Sequence, residues 1–493
     1  MDNKFIPAEH LTGFIRQNQF YNIDGKKIAL MPFSTGFADS LDKSLRNDFR
    51  TFDGCVGYCL REISDKSMPV DLEKDNLDGG FKAQLKSAIL RKAVSLTIFD
   101  ETEPAKLRAI IESMFFKDDS LLKYGSRAQY YLFWENKDIG LKKISYFIRN
   151  IFFDDALERL IVGHTDSKKH PFHELMNQSL PQLVDGPNKE LTAGEKKNYH
   201  KLDAGIIETF SEDFRYLYGD QKMFLAESAL LLKFYYFSYL TKAVFRLGDF
   251  FEDKEHKLYF TLEGESVSRS RRTNELGWKL LESKIYKLFS HTVALELVNR
   301  IPKINLHDTG KSYTELAEFF SALDESSSTG IASDLEQLMD FYSDNFEKID
   351  WIGFGEYYEN RKKTLVLKND LESLVYKVFL KVDYQFEKSD RKSKRNNYGK
   401  WFISFCKENF LKNRGGNNGY TLNLSNEMLL FLTKLCVKDQ QRMRLKDLWN
   451  EFNRRGIFFD DLTQQAILAI FEKINLIEKK SDSGDAQYIR PIL

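Results

Sequence analysis

Proline is scarce in this chain, which has nine prolines among 493 residues, whereas an average composition contains about 5% proline. Because proline breaks helices and is common in turns, its scarcity favours long helices over an all-β or linker-rich chain. Hydrophobic residues make up 42% of the sequence, which is enough for more than one sizeable core. The sequence therefore predicts a mainly α, multi-domain helical body with a small β content.

The most apolar stretch of the chain runs from Met223 to Phe251. Charged residues interrupt it, among them Glu227, Lys233, Lys242 and Arg246. Its longest uncharged run, 234–241, is well short of the about 20 residues that cross a bilayer. The stretch therefore predicts a central helix that is buried on most sides, and we expect no membrane partner.

The cysteines and the N-terminus indicate the same compartment. The cysteines are few and unevenly spaced, at Cys55, Cys59, Cys406 and Cys436, which is typical of free thiols in a reducing cytosol. The N-terminal MDNKFIPAEH has no apolar run and does not resemble a signal peptide. We therefore expect a cytoplasmic protein.

Periodicity and polar breaks divide the chain into five predicted parts. They are a mostly helical N-terminal domain at 1–162, a polar loop or seam at 163–200, a central helical domain at 201–387, a basic aromatic segment at 388–423 and a winged-helix domain at 424–493. Within the central domain, the Ser/Gly-rich DESSSTGIASD at 324–334 predicts a further break between helices.

The last 70 residues carry the pattern of a winged helix. Three amphipathic helices are predicted at 424–437, 444–455 and 462–475, and a β-hairpin follows at 476–480 and 486–491, with its turn at 481–485. Recognition helices read bases near their N-terminal end, but here that end carries Asp460 and Asp461, which would repel phosphates. Thr463, Gln464 and Gln465 could still reach bases. Protein docking or a structural role is favoured, and DNA contact stays open.

Gly310-Lys311-Ser312 resembles the end of a phosphate-binding P-loop. The motif needs a glycine five residues before the Gly-Lys pair so that the backbone can wrap the phosphates, and Asn305 stands there. Asp308, inside the would-be loop, has the wrong charge to face phosphate. The pattern predicts a plain turn before a helix at 313–323.

Two other clusters resemble parts of reactive sites. The histidine-rich run His164, Asp166, His170, His173 and Glu174 lacks HExxH spacing, and a polar, solvated loop that caps a helix at Pro171 fits it better than a metal site. Glu282-Ser283-Lys284, with upstream Glu263 and Glu265, has part of a Mg²⁺ nuclease pattern, but charge pairs on a helix surface explain these residues better. The sequence predicts no catalytic, cofactor-binding or metal-binding residue, and a divergent nuclease remains the alternative.

Charge is concentrated locally in a chain whose 73 basic and 73 acidic residues cancel. Between Lys388 and Arg414, nine basic residues face two acidic ones, a net charge of +7. Basic groups bind phosphates through counterion release, and exposed aromatic rings can stack on bases. The interleaved aromatic residues are Tyr398, Trp401, Phe402, Phe405 and Phe410, and the helical spacing of Trp401, Phe402 and Phe405 favours a core position.

The candidate DNA-binding residues fall into three groups. They are Lys388, Arg391, Lys392, Lys394, Arg395 and Lys400 in the basic aromatic segment, Arg269, Arg271 and Arg272 in a second patch, and Lys479 and Lys480 in the predicted wing.

Parts of the sequence resemble the DptG or DndG family, the G component of the DNA-phosphorothioation-dependent restriction system. One such stretch is 258–299, which contains LYFTLEGESVSRSRR and GWKLLESKIYKLFSHTVALELVN. The second is 456–493, which begins GIFFDDLTQQAILAIFEKINLIEKK, and the N-terminal ALMPFSTGFADS is also similar.

The resemblance implies a prokaryotic defence role. Such systems replace a non-bridging phosphate oxygen of host DNA with sulfur, and the restriction arm attacks DNA that lacks this mark. The F and H components are associated with nucleotide hydrolysis, and H is also helicase-like, whereas G carries no recognised catalytic motif. We therefore expect a bacterial, non-enzymatic subunit that bridges these partners and meets double-stranded DNA within the complex, without a cofactor or a small-molecule substrate. The alternatives are a nuclease subunit and a stand-alone winged-helix regulator.

Overall fold

The computed structural model describes residues 5–16, 19–20, 26–36, 43–69, 80–97, 104–163, 171–268, 270–305, 309–479 and 487–492. The protein is mainly helical with small sheets, which confirms the predicted class. The helices of the first half are α1 Pro7–Leu11, α2 Lys43–Thr51, α3 Asp53–Ile63, α4 Gly80–Thr97, α5 Pro104–Phe115, α6 Ser126–Gln129, α7 Ile139–Phe152, α8 Asp155–Val162, α9 Pro171–Ser179, α10 Ala204–Gly219 and α11 Gln221–Gly248.

The second half continues the helical pattern. Its helices are α12 Arg272–Glu275, α13 Trp278–Ile285, α14 Leu288–Val298, α15 Tyr313–Ser321, α16 Glu325–Asn345, α17 Phe354–Lys362, α18 Asp370–Lys388, α19 Lys392–Asn409, α20 Asn426–Val437, α21 Leu445–Arg454 and α22 Asp461–Lys473.

The strands are short and lie in small separate sheets. They are β1 Ile15–Arg16, β2 Gln19–Phe20, β3 Lys66–Ser67, β4 Phe116–Lys117, β5 Ser120–Leu121, β6 Val184–Asp185, β7 Thr261–Leu262, β8 Leu411–Asn413, β9 Tyr420–Leu424, β10 Met443–Arg444, β11 Ile477–Lys479 and β12 Gln487–Ile489. β7 pairs in parallel with β9, which pairs with β8 in antiparallel fashion. This sheet joins the 258–262 region to the segment that follows α19.

Helix α11 lies at the centre of the main core, as its apolar sequence predicts. The Tyr236 ring contacts Phe52 from the N-terminal region and Phe405 from α19, and Phe237 stacks on Phe410 at 4.2 Å between ring centroids. Within the part of the chain that the structure describes, no helix is both long and apolar enough to span a bilayer.

One cluster of buried apolar side chains extends along nearly the whole chain, from Phe5 to Ile489. Each of the five predicted parts contributes to it, and 163–200 does so through Tyr199. The boundaries between the predicted domains stay a prediction, because the parts meet in this shared core.

The predicted loop at 163–200 contains secondary structure. Helix α9 and strand β6 lie within it, and Met176 and Leu180 join a second, smaller core with Leu85 and Ile89 of α4. Pro171 occupies the first helical position, where its missing N–H costs no hydrogen bond. The helix predicted to begin at Pro171 is therefore confirmed, and the wider prediction of a loop over 163–200 was wrong over 171–179.

The predicted break at 324–334 was also wrong, because helix α16 begins there. The Asp324 side chain caps the helix by accepting a hydrogen bond from the Ser327 N–H at 2.7 Å. Burial of Ile331 and Leu335 compensates for the low helix propensity of the serines and Gly330. The Ser/Gly content gave no sign of this apolar face.

The described C-terminal residues form the helices α20, α21 and α22 with a three-stranded antiparallel sheet in the order β10–β12–β11. Gly456 has φ +81°, a left-handed conformation that suits glycine just after α21. Asp460 caps α22 by accepting from the Thr463 N–H at 3.0 Å. The turn predicted at 481–485 lies outside the described residues.

Candidate nucleic-acid interface

The first turn of α19 carries the exposed cations of the basic aromatic segment. Lys388 at the end of α18 and Arg391, Lys392 and Lys394 are all exposed. The α19 first turn holds no acidic residue, and no side chain caps it, so the helix dipole adds to the positive potential there. The Lys392 ammonium is 2.7 Å from a carboxylate oxygen of Glu387, which partly offsets its charge.

Arg395 does not belong to this exposed set, although its sequence position predicted it. It is only 4% exposed. Its Nη1 donates to Asp383 Oδ1 at 2.9 Å and its Nη2 donates to Glu387 Oε1 at 2.8 Å. Asp383 also accepts from Ser290 and Tyr357. The guanidinium is therefore part of an internal network between α18 and α19 and is not available to a phosphate.

The aromatic residues of α19 are core residues, as their spacing favours. Those that might have stacked on bases are all buried, namely Tyr398, Trp401, Phe402, Phe405 and Phe410. Trp401 packs so closely on α7 that a Cβ at Gly140 would lie 2.2 Å from its ring. Base stacking by these rings is excluded by their burial.

The remaining basic residues of the segment are spread over other environments. Lys400 is half-buried and Lys407 is exposed over the Tyr420 ring. Arg414 donates to the carbonyl oxygens of Leu262 and Glu265, and so ties β8 and β9 to the 261–265 region. The local charge of +7 is thus partly used in structural contacts.

Arg271 is also buried rather than free for DNA, being 7% exposed. Its Nε donates to Asp460 Oδ2 at 2.9 Å, its Nη2 donates to Thr463 Oγ1 at 2.7 Å, and its Nη1 donates to Glu265 Oε2 at 2.8 Å. Burial alone would raise the pKa of Asp460, but hydrogen bonds from Arg271 and Thr463 outweigh it and lower this pKa. The prediction of Arg271 as a DNA contact was wrong.

The neighbours of Arg271 have different positions. Arg272 is exposed, and its guanidinium lies over the Tyr259 ring, 5.8 Å from the centroid. Arg269 lies outside the described residues. In the predicted wing, β11 ends at Lys479, but the Lys479 side chain and Lys480 are also outside them.

The end of α22 that would read bases is occupied by contacts within the chain. Asp460 and Thr463 are engaged by Arg271, and the Thr463 side chain is fully buried. Gln464 donates to the Phe459 carbonyl oxygen, and Gln465 is exposed. This arrangement leaves little of the helix terminus for base contacts.

Gly310-Lys311-Ser312 is a turn that begins helix α15, as predicted. Ser312 and Glu315 form a capping box. The Lys311 ammonium donates to the Ile304 carbonyl oxygen, and a Cβ at Gly310 would lie 2.4 Å from the Lys27 carbonyl oxygen. The glycine is therefore required by close backbone packing.

The nuclease-like acids and lysine lie in separate networks. Glu265 pairs with Arg271, whereas Lys284 pairs with Asp249 at 3.2 Å. Of the histidine-rich run, His173 and Glu174 lie on α9, and its other three members lie outside the described residues. Within the described ranges, no three His, Cys, Asp or Glu side chains lie close enough together to hold a metal ion.

Sequence reasoning missed a cleft of about 460 Å³ beside the Arg271 network. Lys257, Tyr259, Trp449 and Leu462 are among its lining residues. They come from two regions of the chain at least 190 residues apart, so no local pattern indicates that they meet.

A scan of protein-family models and a search of curated protein sequences found no match for this chain.

Proposed function

We propose that the chain is a non-catalytic subunit of a bacterial DNA-phosphorothioation-dependent restriction complex, which restricts DNA lacking the phosphorothioate mark. The contact between its two family-like stretches, 258–299 and 456–493, carries the proposal. The Phe458 N–H donates to the Leu258 carbonyl oxygen at 3.1 Å, and the Phe260 N–H donates to the Phe458 carbonyl oxygen at 2.9 Å. Arg271 and Asp460 join the same two stretches. Residues that resemble one family in two distant places thus build one structural unit.

The C-terminal part of this unit would be a winged helix used for docking. Three helices followed by a sheet in the order β10–β12–β11 support that assignment. Because Asp460 and Thr463 are held by Arg271, the recognition-helix end is poorly suited to base readout. This speaks against a stand-alone regulator and for a role in binding the nucleotide-hydrolysing F and helicase-like H partners.

Contact with double-stranded DNA would come from the start of α19. Lys388, Arg391 and Lys394 are exposed there, and the first turn of α19 holds no acidic residue, although Asp390 precedes it and lies 4.0 Å from Arg391. Such groups neutralise phosphates without reading sequence. This suits a bridging subunit that guides DNA toward partners that act on it.

The proposal places the protein in the bacterial cytoplasm and gives it no cofactor or small-molecule substrate. All four cysteines are buried free thiols, which suits a reducing compartment. The nuclease alternative receives less support, because Glu265 and Lys284 belong to different networks.

Pairwise co-purification at low salt tests the proposal. The full chain is expressed with a tagged F component or a tagged H component, and we expect it to be retained by at least one of them. Failure of both pairings would remove the support for a complex subunit. Mg²⁺-dependent DNA cleavage by the isolated chain, lost in Glu282→Ala, would favour the nuclease alternative instead.

A further inference from the structure

We infer that the cleft beside Arg271 receives a peptide segment of a partner subunit, one that carries an apolar side chain next to a carboxylate. The inference deepens the proposed role in a complex and rests on it. The cleft has a volume of about 460 Å³ and lies between the 257–272 segment and helices α21 and α22. Its aromatic lining consists of Tyr259, Trp449, Phe458 and Phe459.

The walls of the cleft are held in place before any partner arrives. Arg271 links them, since it belongs to the 257–272 wall and donates to Asp460 and Thr463 of the other. Trp449 packs edge-on against Phe459, with ring centroids 5.9 Å apart. A preformed site loses less entropy on binding than one that must be ordered first.

Apolar surface is exposed at the rim. Leu462 on the first turn of α22 is 56% exposed, and Leu276 is 40% exposed. The Leu276 carbonyl oxygen accepts from the Tyr259 N–H, which places Leu276 near the same wall. Tryptophan, tyrosine and arginine, which line the cleft beside these leucines, are the residue types enriched at the energetic centre of interfaces, where an inserted apolar side chain is desolvated.

The charged residues that line the cleft favour a peptide with a carboxylate over a nucleic acid. The Lys257 ammonium lies over Phe458. The Arg272 guanidinium lies over the Tyr259 ring and donates to its hydroxyl at 3.3 Å. Asp461 on α22 also lines the cleft, near enough to Arg272 for the two charges to interact. A nucleic acid would bring phosphates toward Asp461, whereas a peptide can place one carboxylate by the cations and leave the rest neutral.

The experiment measures dissociation constants of the full chain for the F component, the H component and duplex DNA. Two variants alter the cleft, Arg272→Glu and Leu462→Asp. Two matched controls lie elsewhere: Ile110→Asp, because Ile110 is also 56% exposed, and Lys362→Glu, because Lys362 is an exposed cation over the Tyr358 ring. All are exposed positions, and thermal unfolding checks that each variant is folded.

We expect each cleft variant to weaken binding of one partner component by about tenfold or more, while both controls bind as the unchanged chain does. If the unchanged chain binds a partner and the cleft variants bind it equally well, the cleft inference is overturned and the subunit proposal stands. Loss of DNA affinity instead of partner affinity also overturns it. Absence of partner binding by the unchanged chain contradicts both.

Discussion

The Arg271 side chain joins residues that lie 189 positions apart along the chain. It neutralises Asp460 at the start of α22 and Glu265 on its own segment, and all three side chains are largely buried. A buried ion that loses its partner keeps its desolvation cost without the attraction that offset it. Together with the backbone hydrogen bonds of Phe458, Arg271 therefore holds the start of α22 against the 258–272 segment.

We predict that Arg271→Met lowers the free energy of unfolding by about 3 kcal/mol, because Asp460 and Glu265 are left unpaired. Urea unfolding of the full chain measures it. Arg272→Ala is the control, since this neighbouring side chain is exposed and its loss should cost within about 0.5 kcal/mol. Equal effects of the two substitutions would contradict the role given to Arg271.

Glu315 gives a pH-dependent contribution to stability. Burial raises its pKa, but hydrogen bonds from His200 and Ser312 outweigh it and lower the pKa from its ordinary 4.5 to about 2. A carboxylate with a depressed pKa in the folded state stabilises the fold above its unfolded pKa, and this stabilisation is lost as pH falls toward the folded pKa.

We therefore expect the unchanged chain to lose more stability than Glu315→Gln between pH 5 and pH 2. The carboxylate is almost half exposed, so solvent screening limits the difference to about 1 kcal/mol. Thermal unfolding across this pH range measures it. Parallel curves for the two proteins would mean that the His200–Glu315 contact contributes nothing.

Helix α19 divides its residues between two functions at the scale of the element. Its apolar face packs in the core, and Trp401 leaves room only for a glycine at position 140 of α7. Its first turn presents exposed cations to solvent. The sequence run that looked like one basic aromatic surface is therefore a core face and a charged end.

We predict that Gly140→Ala destabilises the protein by about 1–3 kcal/mol, because the new methyl group would overlap the Trp401 ring. Gly355→Ala in helix α17 is the matched control. A Cβ at Gly355 meets no atom within 4 Å, so alanine there should be neutral or stabilising through its helix propensity. A neutral Gly140→Ala would contradict the packing of α19 against α7.

Reversal of the α19 cations tests the DNA contact. Lys388→Glu, Arg391→Glu and Lys394→Glu together should weaken duplex binding by the chain or its complex, and should reduce the salt-dependence slope by up to about 3. The control reverses Arg91, Lys92 and Arg108, which are exposed on α4 and α5. An unchanged affinity for the duplex and an unchanged salt-dependence slope would show that this helix end does not contact DNA.

Several elements could be predicted from the sequence because their signals are local. The apolar stretch at 223–251 predicted α11, and the turn at Gly310-Lys311-Ser312 predicted the start of α15. Charge counts could not separate Lys394, which is exposed, from Arg395, which is buried. Which face of α19 is buried depends on the elements that pack against the helix, and a local charge count does not contain that information. Nor could any pattern indicate the contact of Arg271 with Asp460, which depends on tertiary structure.

At the scale of the whole molecule, helix α11 and its neighbours bring the N-terminal, central and C-terminal regions into one core. Arg455, which follows α21, forms a buried ion pair with Asp213 of α10, and its Nη2 lies 2.7 Å from Asp213 Oδ1. This pair links the C-terminal helices to α10. The elements that form the cleft and the elements that present the α19 cations thus pack on the same continuous core. A single core of this kind suits the proposed bridging role, because it would keep two bound partners and a DNA duplex at fixed positions relative to one another.

The proposed bridging role is tested most directly by co-expressing the F and H components with and without this chain and purifying them at low salt. A tag on the H component allows recovery of whatever is bound to it. We predict that the F component is recovered with H only when this chain is present, and that all three then elute together in size-exclusion chromatography. Recovery of F in the absence of the chain, or no recovery in its presence, would contradict a bridging subunit.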